Sequence, residues 1–138
     1  MRARALLACT ALLAAVAPAT AQGLAPGTWD ITWLEPRLTP ASKAHATQAT
    51  RCYSMADAAR GSNPVMPPAQ EQGCKTTLSV IGGDLVYDTE CNSIDHRLRL
   101  FACGTGYCGV YRYSARNEKA ILESIVILRP KEGRCERS

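Results

Sequence analysis

One phenylalanine and two tryptophans are the only non-phenolic aromatic residues in 138. A core built on stacked aromatics is excluded, and whatever core forms is small. Only His45 and His96 supply imidazole, whereas zinc catalysis normally takes three protein ligands at recognisable spacing. No metal and no cofactor are expected. The chain has no Gly-x-Ser-x-Gly elbow for a nucleophilic serine and no Cys-x-x-Cys opening a helix for a redox thiol. No internal repeat or heptad is visible. The longest apolar run, Ala5 to Ala17, is too short to cross a bilayer, so no transmembrane segment is expected.

What the amino-terminal run does offer is an export signal. Arg2 and Arg4 precede it, and Ala19-Thr20-Ala21 closes it with the small-x-small pattern that signal peptidase cuts. Residues 1–21 therefore read as a signal peptide and 22–138 as a single exported β-rich domain, periplasmic or secreted. Leu6-Leu7-Ala8-Cys9 imitates a lipoprotein box, but only four apolar residues precede Cys9 and the run continues beyond it, which favours cleavage after Ala21. The 117 residues that remain make one domain, which buries about two thirds of its unfolded surface. Covalent help is useful at that size, and six cysteines remain after export, Cys52, Cys74, Cys91, Cys103, Cys108 and Cys135. An even number in an oxidising compartment reads as three disulfides.

Export also lowers the formal net charge from +4 to +2 by removing two arginines. The remaining charge is uneven. Residues 22–91 carry five Lys and Arg against seven Asp and Glu, whereas residues 92–138 carry nine against five, so the C-terminal half is basic.

The order of elements follows from periodicity and turn residues. After the turn at Pro26-Gly27, Trp29, Ile31 and Trp33 alternate with polar partners, the mark of a half-buried strand. Pro36 and Pro40 bound a loop, and a weaker Ala- and Thr-rich strand runs from His45 to Tyr53. Ser54-Met55-Ala56-Asp57 matches a capping box, predicting a short helix that stops at Gly61. The segment GSNPVMPPAQEQG, residues 61–73, is expected to be a long loop, mobile or pinned at its ends. From Cys74 onward the pattern is strands only: Lys75 to Ile81 and Leu85 to Cys91 flank Gly82-Gly83-Asp84. In the next strand Ile94, His96, Leu98, Leu100 and Ala102 point one way and Asp95, Arg97, Arg99 and Phe101 the other. Tyr107 to Tyr113 and Ala120 to Leu128 follow. The expected fold class is all-β, an antiparallel curled sheet or small barrel of about seven strands with one short helix, stabilised by disulfides.

The succession of Pro26-Gly27-x-Trp29-Asp30, Cys52-Tyr53-Ser54-x-x-Asp57-Ala58-Ala59, Cys74-Lys75, a Gly-Gly hairpin, Glu90-Cys91 and a terminal Gly133-Arg134-Cys135 resembles the domain of unknown function 3617 family. The resemblance implies a small exported bacterial β-rich protein with no assigned activity. This chain is short after Cys91 and adds Cys103 and Cys108, which the family pattern does not require.

An extra pair that comes as a pair most simply bonds to itself. In CGTGYCG, Cys103 to Gly109, the glycines let the chain turn back within disulfide reach, so Cys103 with Cys108 reads as a hairpin staple. Six cysteines allow fifteen pairings, and the other four alone allow three; those expected are Cys52 with Cys74, closing the helix and proline loop, and Cys91 with Cys135, tying the chain end to the sheet.

Weighed for chemistry, most residues have a plain explanation. His96 lies on an apolar row and reads as a hydrogen-bonded histidine at the rim of the core, the alternative being an enzyme with an unrecognised site around it. Asp88 and Glu90 read as a solvated strand face, Ser54 as a cap, and Trp29 with Trp33 as core packing. Arg97 and Arg99, repeating on an outward face in the basic half, are candidate anion-binding residues. The functional expectation is a non-catalytic exported domain that binds an anionic envelope component, polymer or lipid, with no nucleic acid. The alternative from another class is a proteinaceous inhibitor of an envelope-attacking enzyme.

Overall fold

The computed structural model describes residues 23–35, 45–116, 121–133 and 135. The expected signal peptide, the loop at Pro36 and Pro40 and the side chain of His45 lie outside the described residues. Seven antiparallel strands form one sheet: β1 (Gly27–Glu35), β2 (His45–Tyr53), β3 (Lys75–Ile81), β4 (Asp84–Glu90), β5 (Ile94–Cys103), β6 (Gly106–Ala115) and β7 (Ile121–Lys131). Their order is β2-β1-β7-β6-β5-β4-β3. The sheet is therefore open, not a closed barrel, because β2 and β3 are edges that do not pair with each other.

That order has a topological consequence. The two edge strands are consecutive in the chain, so the connection between them, residues 54–74, must travel from one edge of the sheet to the other. It begins with helix α1 (Met55–Arg60), which starts where the sequence predicts. Ser54 Oγ accepts from the Asp57 amide at 3.0 Å, and the Asp57 carboxylate accepts from the Ser54 amide at 2.9 Å. Gly61 closes the helix at φ 63°, a left-handed conformation that costs glycine little.

Beyond Gly61 the expected loop proves to be an interior element. Asn63 is fully buried, with Val65 and Met66 only 5% and 2% exposed, so the segment is held by its middle as well as at its ends. A second helical turn, α2 (Pro68–Glu71), follows with proline at its start, where the missing amide is not needed. The cover is tied to both edges of the sheet. Tyr53 of β2 donates its hydroxyl proton to the Ser62 carbonyl at 2.7 Å, and Thr76 of β3 donates to Glu71 Oε1 at 2.8 Å.

One face of the sheet packs beneath this cover. Leu98, Leu100, Val126, Leu128 and Tyr87 are fully buried, and the residues between them on β5, Arg97, Arg99 and Phe101, are exposed, as the strict alternation requires. The amino-terminal segment joins this core, with Leu24 buried and its amide donating to the Tyr87 hydroxyl at 2.8 Å. Glycines 82 and 83, at φ 60° and 87°, make the two-residue β3–β4 turn.

All six cysteines outside the amino-terminal run form disulfides, which places the folded chain in an oxidising compartment. Cys103 and Cys108 bond across the β5–β6 hairpin, Cα to Cα 5.4 Å. The other expected pairings are corrected: Cys52 bonds Cys135, and Cys74 bonds Cys91. Cys74 and Cys91 stand one residue outside the last register pair of the β3–β4 hairpin, Lys75 with Glu90, at 4.4 Å between Cα atoms. Cys52 and Lys131 both pair with Thr28 of β1, so the chain end beyond β7 returns to β2 and pins that edge strand. Among the described residues no helix is long and apolar enough to cross a membrane.

Candidate functional site

The inward faces of β1, β5 and β6 are not filled along their whole length. Where β1 approaches Glu35 and β5 begins, a pocket of ≈ 580 Å³ opens between the sheet and the cover. Its floor comes from alternate residues of the strands: Ile31 and Trp33 of β1, Ala49 and Arg51 of β2, Ile94 and His96 of β5, Tyr111 and Tyr113 of β6. Its roof is the cover, through Val65, Met66, Pro67, Pro68 and Gln70. The size and the apolar lining with a few polar groups are those of small-molecule sites in general.

The aromatic wall is continuous. Trp33 meets Tyr111 edge to face, ring centroids 5.1 Å apart at 90°, reaching across β7. His96 lies 5.7 Å from Tyr111 and stacks on Tyr113 at 6.2 Å. Such geometries suit the ring quadrupoles and hold the wall rigid. Tyr111 Oη and His96 Nδ1 are 2.5 Å apart. Burial pushes the Tyr111 hydroxyl up to about 12, with the neighbouring Tyr113 adding to it, so the phenol keeps its proton. Burial lowers the His96 pKa below its usual value, against the opposing charge of Asp95. At neutral pH the imidazole is uncharged, and its tautomer decides which of the two atoms donates.

The cationic group of the pocket is Arg51. Its Nη1 donates to the Asn63 carbonyl at 2.7 Å and to the Met66 carbonyl, so the guanidinium fastens the roof to β2. Its Nε and Nη2 are buried and have no hydrogen-bond partner. Burial lowers the Arg51 pKa, opposed by the charges of Asp57 and Glu71, yet an arginine this basic stays protonated. Those carboxylates are engaged elsewhere. Asp57 caps α1 and pairs with Arg60 at 2.8 Å, while Glu71 accepts from the Asn63 amide and from Thr76. For Asp57 burial alone acts upward, but the Ser54 hydrogen bonds and the charges of Arg51 and Arg60 bring its pKa below the usual range.

The sequence placed His96 on the apolar row and at the rim, where the structure has it. It also assigned Trp33 to core packing; the ring does pack against the core but presents itself to the pocket. Arg51 was missed. Its signal was present in the alternation of Ala49, Arg51 and Tyr53 against Thr50 and Cys52, which puts the arginine on the same face as an inward tyrosine.

Arg97 and Arg99 lie on the opposite, exposed face of β5 and do not meet the pocket. Each faces a carboxylate of β4: Arg97 Nε and Nη2 donate to Asp88 at 2.7 and 3.1 Å, and Arg99 Nε donates to Asp84 at 2.7 Å. On the neighbouring strands Arg112 pairs with Glu123 in the same way. The row expected to attract anions is thus balanced, cation by anion, within the sheet. No group of His, Cys, Asp and Glu suited to a metal ion occurs among the described residues.

Set against family models, curated proteins and solved structures, the chain finds no match in any of the three.

Proposed function

We propose that the protein is an exported, non-catalytic binding domain that holds an apolar or amphipathic molecule of the cell envelope in the pocket beneath its cover. Cleavage after Ala21, a periplasmic or secreted location and kinship with the domain of unknown function 3617 family belong to the same reading. The observation that carries it is the wall of Trp33, Tyr111, His96 and Tyr113 facing Met66 and two prolines across open space. A small domain that needs every apolar contact for its stability leaves the rings of Trp33, His96 and Tyr113 only partly covered. That arrangement suits a ligand.

Support for binding rather than chemistry comes from the lining itself. Among the described residues no carboxylate and no cysteine line the pocket, and the neutral His96 has a phenol for its partner. Acid–base catalysis asks for a pair of groups with separated pKa values in reach of one substrate atom. The anionic-component expectation attached to Arg97 and Arg99 moves accordingly from the outer face to the inner one.

The test is titration of the oxidised protein with a neutral apolar fluorophore, N-phenyl-1-naphthylamine, followed by probe emission and by quenching of tryptophan. Saturable binding near one to one is expected, weakened several-fold by Trp33→Ala and unchanged by Phe101→Ser on the outer face. Non-saturating uptake, or uptake indifferent to Trp33→Ala, would remove the pocket from consideration.

A further inference from the structure

A guanidinium carries five N–H groups, and in Arg51 only the two on Nη1 have acceptors. The three on Nε and Nη2 are shut away from water with nothing to receive them. Leaving charged donors in that state is costly, and pinning two carbonyls of the roof does not require it. The unused edge is the one that presents two parallel N–H groups to a carboxylate or phosphate. No carboxylate lies within ion-pair distance of it among the described residues. Charges from Asp57 and Glu71 temper the local field, but both carboxylates are committed to α1 and to the cover, so neither fills the fork.

This cation sits at one side of the pocket whose other sides are Trp33, Ile31, Tyr111 and Met66. A buried, underused positive edge beside an apolar space is complementary to one kind of molecule, an anionic head on an apolar chain. We infer that the ligand of this pocket is a single-chain amphiphile whose carboxylate or phosphate head is received by the Nε–Nη2 edge of Arg51 while its tail lies along the aromatic wall. The inference rests on the pocket-binding reading and sharpens it. Because the free edge is sealed from solvent, the head engages it only as the guanidinium turns toward the pocket about its side-chain torsions, giving up part of the Nη1 hold on the Asn63 and Met66 carbonyls.

Three probes of equal chain length separate the two ideas: dodecanoate, dodecyl phosphate and dodecanol, each below its micellar or solubility limit. Each is titrated by calorimetry into the oxidised protein and into Arg51→Gln and Arg51→Lys. At least one anion should bind about tenfold or more tighter than the alcohol, the scale of a charge-assisted hydrogen-bonded pair. In Arg51→Gln, which also loosens the roof, the ratio of anion to dodecanol affinity falls to about one whatever the affinity for dodecanol itself; Arg51→Lys, with charge but no fork, keeps only part of the advantage. Which anion gains identifies the head as carboxylate or phosphate. If dodecanol binds wild type as tightly as both anions, the role given to Arg51 is wrong and the pocket reading stands. That comparison uses only wild type and so decides the matter even if Arg51→Gln does not fold. If none of the three binds, both ideas fall together.

Discussion

Asn63 in the cover and Thr89 in β4 are joined side chain to side chain, Asn63 Nδ2 donating to Thr89 Oγ1 at 3.2 Å, with both residues almost wholly buried. The rest of Asn63 is equally employed. Its amide donates to Glu71, its carbonyl receives Arg51, and its Oδ1 receives the Val65 amide. One residue thus ties the cover to β2, to α2 and to β4. Asn63→Ala strips the side-chain part of this and leaves a buried amide without an acceptor, for an expected loss of about 2 kcal/mol or more. Gln70→Ala, exposed on the same cover, should change stability by less than about 0.5 kcal/mol. Urea unfolding measures both. Equal, small effects would mean that the cover is a surface loop after all.

The three disulfides close loops of very different length, with sequence separations of 83, 17 and 5 residues. In the chain-entropy account the double serine variants should lose about 4–5 kcal/mol for Cys52 with Cys135, about 3 for Cys74 with Cys91 and about 2 for Cys103 with Cys108. A domain holding 5–15 kcal/mol in all, the usual range, is left marginal by the first. Denaturant midpoints give the ranking, and non-reducing peptide mapping gives the pairing. A Cys52–Cys74 peptide would contradict the topology itself, since it joins the two edges that the sheet keeps apart.

The strands were legible because their signal is local. Ile94, Leu98 and Leu100 alternate with Arg97 and Arg99, Gly82-Gly83 supplies the positive φ that a two-residue hairpin turn needs, and Ser54 with Asp57 spells a cap within four residues. Among the disulfides Cys103 with Cys108 was legible, and the predicted β3–β4 hairpin already held the local signal for Cys74 with Cys91; Cys52 with Cys135 was not legible, because it depends on β7 being placed between β1 and β6, a long-range fact. The cover was misread for a related reason. Ser62-Asn63-Pro64 has the composition of an exposed turn, and only the partners supplied by Arg51, Tyr53 and Thr89 make its burial affordable. The pocket inherits both difficulties, being the space left between an inward strand face and a cover that the sequence put outside.

On the outer face, the pairing of Arg97 with Asp88 and Arg99 with Asp84 makes a negative expectation testable. Exposed pairs contribute about 0–1 kcal/mol each and are screened by salt. Arg97→Ser with Arg99→Ser should therefore lower stability only slightly at low ionic strength and hardly at all at high. Binding to vesicles of anionic lipid should be unaffected by the double change. A salt-sensitive loss of vesicle binding would return these arginines to the role the sequence suggested.

His96 links the pocket to pH. Burial holds its pKa below the ordinary value, while Asp95 on its own strand opposes the shift and the rings of Tyr111 and Tyr113 of β6 pack against it. The folded protein therefore binds this proton less readily than the unfolded chain, whose histidine titrates near 6.5. Above about pH 6.5 both states carry a neutral imidazole and the contribution to stability is complete. As pH falls through that value the unfolded chain protonates first, so stability declines until the folded imidazole titrates as well. The carboxylates held low, Asp57 and Asp95, lose their contribution only further down, below the ordinary carboxylate pKa of about 4, so the two effects separate. Protonation also fixes the direction of the Tyr111 hydrogen bond, because Nδ1 then carries a hydrogen and the phenol oxygen must accept. Denaturant midpoints should be flat from pH 8 to 7 and fall between about pH 6.5 and 5, with the fall diminished in His96→Gln. Imidazole resonances followed by nuclear magnetic resonance should titrate below 6.5 for His96; a midpoint at or above that value would mean that the ring is solvated and does not belong to the pocket wall.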